Sequence, residues 1–100
     1  MGNNVAYGYV IGQINVTDSA TYPTYVAMVQ PIVKKFGGVF LVRGGNIEVP
    51  EGQAPGERIV VIRFPSLQAA HDWYHSDDYA DAKALRMSAS ESVQIIVEGI

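Results

Sequence analysis

A chain of 100 residues has room for one domain around one hydrophobic core, so residues 1–100 are expected to form a single unit. Apolar residues make up 48% of it and charged residues 17%, which excludes the low hydropathy and high charge of a disordered chain. Seven basic residues against ten acidic ones leave a net charge of −3, a poor footprint for nucleic acid, and the lack of cysteine excludes a disulfide scaffold, a thiol nucleophile and a thiolate-held metal.

The opening stretch MGNNVAYGYVIGQ lacks the basic flank and apolar core of a secretory signal. Gly2 hints at myristoylation, but Ala6 stands where that motif wants Ser or Thr. No apolar run approaches the ~20 residues that span a bilayer. Asn15-Val16-Thr17 fits the glycosylation sequon, which has no consequence without secretion. A soluble, cytoplasmic protein with no membrane partner is expected.

Residues 6–16, AYGYVIGQINV, place Val10, Ile14 and Val16 in one phase and Tyr7, Tyr9 and Ile11 in the other, the pattern of a strand with both faces in use. Gly8 and Gly12 point to a bulge or to close packing on the backbone. Thr17-Asp18-Ser19 offers oxygens to cap the next helix. Tyr22, Tyr25, Val26, Val29, Ile32, Val33 and Phe36 then share one helical face. Pro23 suits the first turn, Pro31 should kink the helix, and Gly37-Gly38 supplies its left-handed end after Lys34 and Lys35.

Val39–Arg43 and Arg58–Phe64 are two apolar, β-branched strands. Between them, Ile47-Glu48-Val49 is expected as a short edge strand, followed by the turn-rich residues 50–57. Ser66 caps a short helix through Trp73 and Tyr74, and Ser76 caps another carrying Tyr79, Ala82, Leu85 and Arg86. Val93–Gly99 is the last strand. The order β-α-β-β-α-β is the ferredoxin-like α+β arrangement.

Five segments together are more specific than any of these patterns: Tyr22-x-x-Tyr25, the run Gly37–Gly45 (GGVFLVRGG), Arg58–Phe64, Trp73-Tyr74-x-Ser76-x-x-Tyr79 and Leu85-Arg86. From about Tyr9 to Gly99 the chain resembles the domain-of-unknown-function family DUF1330 of the dimeric α+β barrel superfamily. The resemblance implies a homodimer in which two sheets pack to close a barrel. It implies no assigned activity, since that superfamily holds monooxygenases, haem-degrading enzymes, lactone isomerases and proteins without known chemistry. The residues agree on the dimer: Val60 and Ile62 oppose Ile59 and Val61, so neither face of that strand suits water.

Several residues are candidates for chemistry. Arg43 shares the phase of Val39 and Leu41 and precedes two glycines. There it could bind a carboxylate or enolate bidentately at a pocket mouth, or serve a structural salt bridge or the loop carbonyls. Arg63 shares the phase of Ile59 and Val61 and either lines the same cavity or reaches its rim. Tyr79, Lys83 and Arg86 lie on one helical face and suit an anion; the plain alternative packs the Tyr79 ring and solvates both cations. Tyr9, Tyr22, Tyr25, Trp73 and Tyr74 either shape an apolar pocket with polar tips or fill the core and interface.

His71 and His75 have the spacing of a zinc-protease helix with Asp72 for the usual Glu, but the chain has no third histidine, and a solvated surface is the expectation. Asn15, Trp73 and a histidine are the residue types of the superfamily's haem-degrading site, without its surroundings. No phosphate loop, dinucleotide fingerprint or serine elbow is present, and neither a metal nor a cofactor is expected. Three classes of function fit. The first is a dimer binding a small anionic or carbonyl metabolite between sheet and helices. The second is a cofactor-independent enzyme of isomerase or monooxygenase type, with Arg43 or Arg86 steadying an oxyanion and Tyr79 donating. The third is a structural or stress-related dimer without chemistry.

Overall fold

Alternation along the first strand decides how the sheet is used. In the computed structural model, which describes residues 5–54 and 56–100, the order is β1 (Gly8–Val16), α1 (Tyr22–Lys35), β2 (Val39–Arg43), β3 (Arg58–Phe64), α2 (Leu67–Tyr74), α3 (Asp77–Ala89) and β4 (Ser90–Glu98). Gly2 and Pro55 lie outside the described residues. The four strands form one antiparallel sheet in the order β2-β3-β1-β4, the ferredoxin-like α+β arrangement. Val10 sits between Ile62 and Ile96, and Gly12 between Val60 and Gln94. This phase faces the helices, where Val10, Ile14, Ile62 and Phe64 form one core with Val29, Val33, Trp73 and Tyr79. The opposite phase, with Ile11 between Val61 and Ile95, faces away from them.

Local signals set the helix ends. Helix α1 stops in a Schellman turn: Gly37 at φ 80° donates to the Lys34 carbonyl, and Gly38 donates to that of Val33. Pro31 is accommodated within α1 on its exposed side, where water can satisfy the carbonyl the proline leaves unbonded. Ser66 Oγ accepts from the Ala69 amide at 3.0 Å and Ser76 Oγ from the Tyr79 amide at 3.1 Å, so both expected caps form. No helix among the described residues is long and apolar enough to cross a membrane.

Three details differ from expectation. Residues 17–19 do not cap α1 directly; Asp18 Oδ1 accepts from the amides of Ala20 and Thr21, and Thr21 begins the helix without a side-chain cap. Hydrogen bonding from the Thr21 side chain first, and then from its amide, holds the Asp18 carboxyl below its ordinary value. Ile47-Glu48-Val49 carry no strand, because so short a segment beyond the Gly44 turn offers too few ladder hydrogen bonds. Strand β4 begins at Ser90 rather than Val93, since its pairing with β1 extends to Val16 opposite Ser90.

Gly8 marks where the sheet meets the start of α2. A Cβ there would overlap the Ser66 carbonyl oxygen and lie 2.6 Å from Leu67 Cα, both backbone atoms that cannot swing aside. Gly8→Ala is expected to destabilise the fold by about 1–3 kcal/mol, read from urea midpoints. An unchanged midpoint would show that α2 shifts freely.

Candidate functional site

Of the cavities among the described residues, two gather the buried polar candidates. The wider is a cleft of about 330 Å³ where α3 meets β4, lined by Tyr74, Arg86, Met87, Ser90, Ser92 and Gln94. Tyr79 and Arg86 are seven residues apart on α3 with Ala82 between them, so both side chains turn inward on one face. Arg86 is only 2% exposed. Its Nε donates to Tyr79 Oη at 3.3 Å and its Nη1 to Ser92 Oγ at 2.6 Å. Tyr79 Oη shares a 2.8 Å hydrogen bond with Tyr25 Oη, which brings α1 into the network. Arg86 Nη2 is buried and has no acceptor in the protein.

The charge of this guanidinium is not balanced by a carboxylate. Among the described residues the ion pairs are Lys35–Asp78 and the 3.8 Å approach of His71 to Asp72, neither of which involves an arginine. Burial works to lower the Arg86 pKa, but the phenolic oxygens of Tyr79, Tyr25 and Tyr74 leave it raised, so the group stays charged.

The narrower cavity, about 30 Å³, lies deeper between sheet and helices over Gly12, with Tyr22, Tyr25, Arg43, Arg58, Trp73 and Gln94 in its walls. Arg43 reaches it because of a bulge. Phe40 pairs with Ile62, but Val42 pairs with Val61 and Arg43 with Val60, so the irregularity at Leu41 moves Arg43 from the phase of Val39 to that of Phe40. Its guanidinium lies 5.4 Å from the Phe40 ring centre. Arg58, which sequence reasoning treated only as the start of a strand, lines the same cavity, with its guanidinium 5.6 Å from the Tyr22 ring. Its signal was its phase, shared with Val60 and Ile62.

The remaining candidates are scattered. Arg63 pairs with Tyr9 and Val39 on the opposite sheet face, where it lies 4.5 Å from the Tyr7 ring, so it does not share a cavity with Arg43. Lys83 does not extend the Tyr79–Arg86 strip: its Nζ donates to the Tyr74 carbonyl at 3.1 Å and lies over that ring. Trp73 is buried against Tyr79, ring centres 4.2 Å apart, and against Phe64 at 5.3 Å. His71 and the C-cap residue His75 lie with ring centres 4.5 Å apart on the exposed side of α2. Asn15 is exposed and accepts from the Glu57 amide, apart from the buried Trp73, so the haem-degrading constellation does not assemble.

With this geometry established, comparison with known proteins places the chain. Residues 7–100 match the domain of unknown function DUF1330. The chain belongs to that family. No curated protein matches the sequence. This DUF1330 fold is similar to a protein of unknown function from Rhodopseudomonas palustris, with a TM-score of 0.77 and 15% identity over 95% of this chain and 83% of that one. It is also similar to a cofactor-independent oxygenase from Streptomyces nogalater, with a TM-score of 0.66 and 10% identity over 96% and 95% of the two chains. A hypothetical protein of Arabidopsis thaliana gives a TM-score of 0.68 at 10% identity, over 96% and 89%. At such identities the likeness is one of fold.

The phenols of this DUF1330 protein make its network sensitive to alkali. Burial, and then Tyr79, push the Tyr25 phenol above its ordinary value; burial does the same at Tyr22, where Arg58 opposes it. A phenol whose folded pKa lies above its unfolded value gives stability that is fully present below pH about 10 and lost as the pH rises further, because the unfolded chain ionises first. Urea midpoints are therefore expected to fall above pH about 10, and less steeply in Tyr25→Phe. Equal slopes in the two proteins would remove Tyr25 as the cause.

Proposed function

We propose that the protein binds a small anionic or carbonyl metabolite in the α3–β4 cleft, with Arg86 receiving its oxygen. The observation that carries this reading is the state of Arg86: buried, without a carboxylate partner, and with Nη2 lacking an acceptor. A desolvated guanidinium is costly unless charge and hydrogen bonds offset the loss of water. A carboxylate or enolate oxygen supplies both. Tyr79 and Ser92 hold the guanidinium in place, and the cleft volume suits a small molecule.

A cofactor-independent enzyme is the second reading. In its favour are the fold shared with the Streptomyces nogalater oxygenase and the cation of Arg86 at the cleft, suited to an oxyanion and held in place by Tyr79, which itself lines neither cavity. Against it, no Asp, Glu or His lines either cavity, so abstraction of a proton from a bound carbonyl compound lacks a base. Binding without chemistry is therefore the better-supported function.

The homodimer belongs to the same proposal. On the face turned from the helices, Leu41 is 48% exposed, Val93 54% and Val97 43%, beside Val39, Val42 and Ile95. So broad an apolar surface on a small chain supports sheet-to-sheet pairing with a second copy.

Calorimetric titration with pyruvate and with benzoate tests the cleft. Arg86→Leu is expected to abolish binding while stability changes by about 0–2 kcal/mol in either direction. Undiminished binding in that variant would refute the assignment. Sedimentation should show a dimer at micromolar concentration that Ile95→Asp converts to a monomer; a monomeric wild type would refute the pairing.

A further inference from the structure

We infer that the deeper cavity is a second anion subsite, separate from the Arg86 cleft, in which Trp73, Arg58 and Arg43 receive the head group of a monocarboxylate. Two buried donors in its walls, Trp73 Nε1 and Arg58 Nε, have no acceptor in the protein. A buried donor left without an acceptor is unfavourable, and native structures rarely keep one without a reason. Both donors belong to residues that line one cavity, which is where the acceptor is placed.

The donor set defines the class of ligand. Indole and guanidinium nitrogens donate and cannot accept, so the group they receive must be rich in lone pairs. Arg43 adds a second positive charge to that of Arg58, and no described carboxylate forms an ion pair with either. Two like charges lining one cavity repel each other, and an anion relieves that repulsion. Beside the neutral side chains of Gln94, Tyr22 and Tyr25, the wall is completed by Val10, Ile14, Val60 and Ile62, so nothing there would pair a second charge on the ligand. A volume of about 30 Å³ admits a carboxylate group or a water or two, and not a whole metabolite. Any substituent must leave past the exposed side chain of Arg43.

Gly44 positions Arg58. It adopts φ 71°, and its amide donates to the Ile59 carbonyl at 2.9 Å. A Cβ at this position would overlap the Arg58 guanidinium, which is thereby confined between the Gly44 backbone and the Tyr22 ring. Gly44, the first of the two glycines after Arg43, thus serves the arginine on the neighbouring strand.

The chain has one tryptophan, so the indole N–H resonance reports on Trp73 alone. Titration with sodium acetate, at constant ionic strength against sodium chloride, should move that proton downfield in a saturable way. Arg58→Gln is expected to weaken acetate about tenfold or more. Gly44→Ala, which displaces the guanidinium without removing it, should weaken acetate in the same direction and decides the matter if Arg58→Gln does not fold. The shift should persist in Arg86→Leu, even where that variant loses pyruvate and benzoate. A shift that chloride reproduces, one that fails to saturate, one unchanged when Arg58 is altered, or one lost with Arg86 would each overturn the subsite.

Discussion

The hydrogen bonds running from Tyr25 through Tyr79 to Arg86 and on to Ser92 join α1, α3 and β4 around one buried cation. A phenol can donate once and also accept, so one tyrosine donates to the other while Tyr79 accepts from the arginine as well. Charge is the unsatisfied quantity. Arg86 is held by neutral oxygens, among them the Tyr79 hydroxyl and Ser92 Oγ, with no described carboxylate paired to it and one N–H left without an acceptor in the protein.

Packing divides the sheet into two unlike surfaces. On the helix-facing phase Gly12 carries no side chain, and Gln94 lies over it with its amide atoms 3.1 Å from where a Cβ would stand. From there Gln94 lines both the deep cavity and the cleft. The other phase is apolar yet uncovered within one chain, so the interactions that fold the subunit leave a surface suited to association. In the proposed dimer, ligand sites and pairing surface lie on opposite sides of one sheet, and each can change with little effect on the other.

Much of this was legible in the sequence because it rests on local rules. Helix α1 follows from a 3.6-residue repeat closed by Gly37-Gly38, α2 and α3 from serines that reach the amides three residues on, and β3 from a β-branched run. The pairing of Tyr79 with Arg86 was legible too, since seven residues on a helix return to the same face. The family resemblance rested on these same segments.

Tertiary structure decided what depends on register and on distant partners. A bulge at Leu41 reverses the face of Arg43, and no spacing rule can place a bulge that arises from how two strands settle against each other. Arg63 and Arg43 look equivalent by phase yet lie on opposite faces for that reason. The role of Tyr25 depends on a hydroxyl 54 positions away, and that of Arg58 on a glycine just past the end of β2. The sequence by itself determined the elements, their order and the inward turn of Tyr79 and Arg86, because these follow from backbone periodicity and capping. Which donors lack acceptors, and which cavity each cation enters, was decided only when the strands paired and the helices packed, because those properties belong to side chains that meet across the fold.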